Sequence, residues 1–179
     1  LGAKQGMELA INVAAMLIAI VGLVAAVDWV IGLAPIGFCG GVPTLAGTCA
    51  SGAAEPLSMS IVFGWVFAPI ALLMGVVPAD AFVVGRLLGE KIVLTEFVAY
   101  INLGNLVNQA EPALSQRSAV IASYALCGFA NFASIGIQLG GIGGLAPKRM
   151  GELASLGFRA MMGGVLAACM TGCVAGLLL

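Results

Sequence analysis

A few side chains in this sequence stand where chemistry, not packing, would place them. The first is Glu96, a carboxylate with Leu94 and Thr95 before it and Phe97, Val98 and Ala99 after it. In an apolar setting a carboxylate without a partner is costly, so one retained at membrane depth points to a cavity or a ligand. The plainer alternative is a structural ion pair with Lys91 or Arg86. Asn131 and Ser134 form a second polar point, inside Cys127-Gly-Phe-Ala-Asn-Phe-Ala-Ser-Ile135. An amide and a hydroxyl there would either meet a ligand at an unwound helix or bond neighbouring helices, and the residues alone leave both open. Catalytic chemistry has little to work with. The chain has no histidine, which removes Ser-His catalysis and histidine-based zinc sites. Asp28 and Asp80 fall in different segments, so no acid pair is indicated and no enzyme is expected. The five cysteines, Cys39, Cys49, Cys127, Cys169 and Cys173, make no CxxC pair and suggest no metal site.

The surroundings of these residues are those of a bilayer protein. Of 179 residues 61% are hydrophobic and 8% charged, against about 25% charged in soluble domains. The net charge of −1 argues against nucleic-acid binding. The 26 glycines suggest close helix contacts and interrupted helices.

The expected fold is an all-α membrane protein, with transmembrane helices, a re-entrant helical hairpin and a discontinuous helix. Residues 1–34 read as a scaffold span and 35–57 as an extracytoplasmic connection. Residues 58–78, with Pro69 inside, read as an interfacial helix. Residues 79–108 carry Asp80, Arg86, Glu90, Lys91 and Glu96 among apolar pieces too short to cross, which describes a re-entrant hairpin with Glu96 near its tip. An amphipathic surface helix is the alternative. The polar stretch from Gly104 to Arg117 reads as a loop. Residues 115–146 form the discontinuous span, and 147–179 the last one. In that last span Gly163, Gly164, Ala167, Ala168 and Gly172 suggest a packing face. Asp28 is expected at the interface beside Trp29.

The short basic turn Lys148-Arg149 sets the orientation, being expected on the cytoplasmic side. The hairpin then opens outward, and Arg117 is the contrary charge. Cys39 and Cys49 would lie outside, where oxidation to a disulfide is possible and not fixed by spacing. The first apolar run is too long for a cleavable signal peptide. The start without Met suggests a fragment or a processed chain.

Gly89-Glu-Lys-Ile-Val-Leu-Thr-Glu-Phe-Val-Ala-Tyr100 resembles the signature hairpin of concentrative nucleoside transporters, and Tyr124-Ala-Leu-Cys-Gly-Phe-Ala-Asn-Phe-Ala-Ser-Ile-Gly136 is similar to the broken helix that follows it. Ser115-Gln-Arg-Ser118 and Gly143-Gly-Leu-Ala-Pro-Lys-Arg149 match the same region. The resemblance covers the carboxyl-terminal half of that family. It implies a sodium- or proton-coupled nucleoside importer, multi-pass in the plasma membrane (the inner membrane in a bacterium), and a homotrimer. It also implies a substrate site: Glu96 as the hairpin-tip carboxylate, Thr95 beside it where the family often has Asn, Phe129 before the break, and Asn131 and Ser134 at it. Carboxylate, amide and hydroxyl would meet the ribose. The family's Gly-Gln-Thr/Ser-Glu hairpin and its cation ligands match nothing here. The chain is therefore expected to need an amino-terminal half and to hold no cofactor or metal of its own. The alternative function is a truncated or regulatory membrane protein without transport activity.

Overall fold

The computed structural model describes residues 2–33, 37–39, 42–44, 48–49, 52–53, 55–109, 113–145 and 147–179. Seven α-helices dominate it. Helix α1 runs Gly2–Gly32, about 46 Å at 1.5 Å per residue. Its apolar side chains, including Ile11, Ile18, Leu23 and Trp29, are largely exposed. Asp28 has a definite partner: its Oδ1 accepts from the Met59 amide at 2.7 Å. Met59 opens helix α2, Met59–Leu73, so the carboxylate caps that helix where negative charge is favoured.

Between them the chain forms short antiparallel strand pairs, an addition to the expected all-α plan. β1 (Gly37–Cys39) pairs with β2 (Val42–Thr44) and with β5 (Glu55–Pro56), while β3 (Thr48–Cys49) pairs with β4 (Gly52–Ala53). Strands of two and three residues are too short to show an apolar alternation in the sequence. The pairing of Cys39 with Cys49 concerns side chains outside the described set.

Helix α2 has 15 residues and contains Pro69. At about 22 Å it is shorter than a roughly 30 Å hydrocarbon core. It lies tightly against α3, Ala81–Val93. The approach depends on glycine: a Cβ on Gly85 would stand 2.6 Å from the Gly64 carbonyl oxygen and 2.8 Å from the Ala68 nitrogen. Leu94 and Thr95 join α3 to α4, Glu96–Val107. The Glu90 carboxylate ties this hairpin together. It accepts from Asn102 on the opposite arm at 2.8 Å and from Ser60 on α2 at 3.0 Å. Val84, Leu87, Leu88 and Ile92 of α3 are buried. The α4 helix continues to Val107, so the polar stretch from Gly104 is helical in its first turn, not loop.

Helix α5, Gln116–Leu126, and α6, Phe132–Leu145, follow with residues 127–131 non-helical between them. After a 3-10 turn at Pro147–Arg149, helix α7 spans Met150–Leu178. It is the one helix among the described residues long and apolar enough to cross a membrane. Gly164, Ala168, Gly172 and Gly176 recur every four residues and turn toward the interior. A Cβ on Gly172 would stand 3.1 Å from the Ala125 Cβ, and one on Gly164 3.0 Å from the Ala130 Cβ. Gly163 and Ala167, expected in the same packing face, point outward.

Polar staples close the base of this assembly. Asp80, just before α3, accepts from the Ser115 amide at 3.1 Å and hydroxyl at 2.7 Å. Ser115 also caps α5 and bonds the buried Ser118, whose hydroxyl accepts from the Val77 amide. Burial alone would raise the Asp80 carboxyl, but the hydroxyls of Ser118 and Ser115 and the Ser115 amide outweigh it and hold it below the usual carboxylate range. Arg117 gives its guanidinium to the carbonyls of Gly75 and Gly176, near the ends of α2 and α7. The charge that ran against the topology count is thus engaged by two helix C-termini, where cations are favoured.

Candidate functional site

The hairpin tip and the break between α5 and α6 meet. Thr95 is the α4 N-cap, 9% exposed, its hydroxyl accepting from the Val98 amide at 3.4 Å. That cap places Glu96 in the first turn of α4, where the helix dipole favours an anion. Across from it, residues 127–131 leave the helical path. Gly128 has φ +154°, a conformation that side-chain-bearing residues rarely adopt. Asn131 then starts α6: its Oδ1 accepts from the Ser134 amide at 2.8 Å, and the Ser134 hydroxyl donates to the Asn131 carbonyl at 2.6 Å. This reciprocal turn satisfies donors at the new helix start. Asn131 and Ser134 are 0% and 3% exposed.

The link between the two halves is the Asn131 amide, which donates from Nδ2 to Glu96 Oε2 at 3.1 Å. Among the described residues no direct ion pair joins Glu96 to Lys91. Lys91 instead gives its bond to the Ala125 carbonyl at 2.9 Å, and Arg86 donates to the Ser60 hydroxyl at 3.2 Å. The second Glu96 oxygen has no hydrogen bond among the described contacts. A carboxylate has about four acceptor sites, so Glu96 can hold Asn131 and still accept from a ligand. Phe129 lies on the break with its ring 49% exposed, open to stack or pack against a planar group.

Of the five residues singled out in the sequence, four come together directly: Glu96, Asn131 and Ser134 through hydrogen bonds, and Thr95 as the cap that sets Glu96. Phe129 occupies the same break without a polar link to them. Two residues at this junction carried no functional reading in the sequence. Lys91 was weighed only as an ion-pair partner, and Tyr100 had no reading. The Tyr100 hydroxyl donates to the Ser123 carbonyl at 2.6 Å. Their spacing within the signature stretch was the available signal.

An apolar groove of about 480 Å³ runs between α4 and α5, with Tyr100, Leu103, Val107, Leu114, Val120 and Ser123 on its walls. Neither Glu96 nor Asn131 lines it. A smaller cavity of about 140 Å³ lies between α1, α2 and the hairpin, beside Asp28 and Glu90.

Such an arrangement, short helices folded back as a hairpin against an interrupted helix with polar groups at the junction, belongs to helical membrane transporters. Comparison with known proteins is more specific. Residues 1–176 match the family described as "Na+ dependent nucleoside transporter C-terminus", and the chain belongs to that family. An uncharacterized transporter of Bacillus subtilis, YutK, is 42% identical over 98% of this chain and 39% of its own length. Solute carrier family 28 member 3 of Mus musculus is 37% identical over 99% of this chain and 25% of its own. Among solved structures, CNTnw in an inward-facing substrate-bound state superposes with TM-score 0.77 at 36% identity. It covers 98% of this chain and 39% of that one. CNTnw in an intermediate state reaches TM-score 0.82, covering 99% and 40%. The chain thus spans about two-fifths of the length of YutK and CNTnw.

Proposed function

We propose that this chain is the carboxyl-terminal part of a cation-coupled nucleoside transporter that imports nucleosides by alternating access. The observation that carries the reading is the hydrogen bond between Glu96 at the hairpin tip and Asn131 at the helix break. It sets a carboxylate beside an amide, a combination that can accept from, and donate to, the paired hydroxyls of a sugar. Glu96 reads the hydroxyls from one side and Asn131 with Ser134 from the other. Thr95 fixes the direction of Glu96, and Phe129 packs against the nucleoside. Membership of the nucleoside transporter family supports the substrate class. Its name supports sodium as the coupling ion, with proton coupling as the other outcome. The residues that hold the cation lie in the amino-terminal part.

In this reading α3 and α4 form a re-entrant hairpin, α5 and α6 a discontinuous span, and α2 an interfacial helix. The whole protein is multi-pass in the plasma membrane and assembles as a homotrimer. The test is uptake of labelled uridine by proteoliposomes holding the complete protein, under an imposed sodium gradient and, separately, a proton gradient. Accumulation driven by either one supports the proposal and names the ion. Absence of uptake under both, with correctly assembled protein, would make this a non-transporting membrane protein.

A further inference from the structure

The break between α5 and α6 leaves carbonyls at the end of α5 without the amides that would serve them in a continuous helix. The Cys127 amide turns back to the Tyr124 carbonyl. The Ser123 and Ala125 carbonyls are served from outside the helix, and both donors come from the hairpin. The Tyr100 hydroxyl on α4 bonds Ser123 at 2.6 Å, and Lys91 Nζ on α3 bonds Ala125 at 2.9 Å. Lys91 is 1% exposed, and its Nζ is engaged by the Ala125 carbonyl. A long flexible amine is costly to bury, and here it lies at a helix C-terminus, the end that favours a positive group. The fit is close: a Cβ on Gly128 would lie 3.6 Å from Lys91 Nζ.

We infer that Lys91 and Tyr100 are positioning residues for the nucleoside site: side chains of the hairpin that cap the end of α5 and thereby set where the break carries Asn131 and Ser134. The inference rests on the site proposed above. Five residues lie between Ala125 and Asn131. Their path is stiffened by the Ala130 amide bonding the Gly128 carbonyl at 3.0 Å. A displacement of the α5 end therefore reaches Asn131 with little slack. The Glu96–Asn131 bond sits on the same two elements. Hairpin and break are thus joined at three points, of which only one faces ligand. Without the two caps, the orphaned carbonyls of Ser123 and Ala125 would turn to seek other donors. The amide would then leave the place where it meets both Glu96 and a sugar hydroxyl.

The experiment uses the complete transporter with Lys91→Met, Tyr100→Phe or Glu96→Gln. Binding of uridine and of 2′,3′-dideoxyuridine is measured for each, and trimer assembly is checked separately. Lys91→Met should weaken uridine on the order of ten-fold while leaving the dideoxy analogue unchanged, because hydroxyl contacts are what a misplaced amide loses. Tyr100→Phe removes one oxygen from a partly exposed ring and should fold. It should act in the same direction by about two- to ten-fold. Combined with Asn131→Ala, either substitution should add little further loss, as expected of residues acting through one group. Equal weakening of both ligands, or full additivity with Asn131→Ala, would make the two caps merely structural and overturn the inference. If Lys91→Met does not assemble, Tyr100→Phe decides alone. Glu96→Gln separates the two levels. Should it lose discrimination while the cap variants keep it, the site stands and the positioning role falls. Should it keep discrimination, the site reading itself fails and the caps lose their role with it.

Discussion

The contact between α2 and α3 gives a sharp prediction at Gly85. An added Cβ would stand 2.6 Å from the Gly64 oxygen and 2.8 Å from the Ala68 nitrogen. Both are backbone atoms of α2, so no side-chain rotation can relieve the clash, and the two helices must separate. Overpacking of this kind costs about 1–3 kcal/mol, and each 1.4 kcal/mol is ten-fold in the folding equilibrium. Gly104 supplies the control. It lies inside α4, and nothing stands within 4 Å of the Cβ it would gain, so Gly104→Ala should stabilise by about 0.4–1 kcal/mol through the unfolded chain. The assay is thermal unfolding of the purified complete protein, followed by tryptophan fluorescence and by loss of soluble protein. Gly85→Ala should unfold at lower temperature than the parent and Gly104→Ala at the same or higher temperature. A Gly85→Ala protein as stable as its parent would refute the close backbone approach of α2 and α3.

Asp80 gives a pH prediction. Its carboxyl is held below the usual range in the fold, so the stabilisation is present above the ordinary value of about 3.9 and fades as pH falls through the depressed one. Unfolding monitored from neutral pH downward should show a loss below about pH 4 that Asp80→Asn removes; an unchanged acid limb would exclude the staple to Ser115 and Ser118. Orientation can be checked with single cysteines in a Cys-free background. One at Lys148 should resist impermeant thiol reagents in intact cells and one at Gln109 should react, and the reverse pattern would invert the topology.

That Glu96 and Asn131 come together was more legible in the sequence than the contacts of the scaffold around them. Glu96 stood out because a carboxylate among apolar neighbours demands a partner, and Gly128 with Asn131 marked the helix interruption where the structure has it. The apolar arms on either side of Leu94-Thr95 were readable as two short helices. What the sequence could not show depended on contacts distant along the chain. Lys91 looked like a charge in search of Glu96, yet it serves a backbone carbonyl 34 residues away. A helix end left open by a break carries no mark of its own in the sequence. Nor does anything near Asp28 in the sequence announce its partner, an amide 31 residues on. The α7 stripe is turned inward in part within this chain. Gly163 and Ala167 are as small as their neighbours, and only the four-residue phase of Gly164, Ala168, Gly172 and Gly176 selects the buried face. The strands between residues 37 and 56 were missed because each is only two or three residues long, too short for an apolar alternation to reveal it.

The central claim is that Glu96 and Asn131 jointly read the hydroxyls of a nucleoside. A double-mutant cycle on the complete transporter tests it most directly, using Glu96→Gln, Asn131→Ala and the pair, with uridine and 2′,3′-dideoxyuridine as ligands. Glu96→Gln keeps size but removes the charge, which should cost uridine binding about 1.5–3 kcal/mol, or roughly 10- to 150-fold. Asn131→Ala should cost about 1–2 kcal/mol, and the double variant less than the sum. The dideoxy analogue should be almost indifferent to all three. Full uridine affinity in assembled Glu96→Gln protein, or equal losses for both ligands, would contradict the claim and leave Glu96 a structural carboxylate.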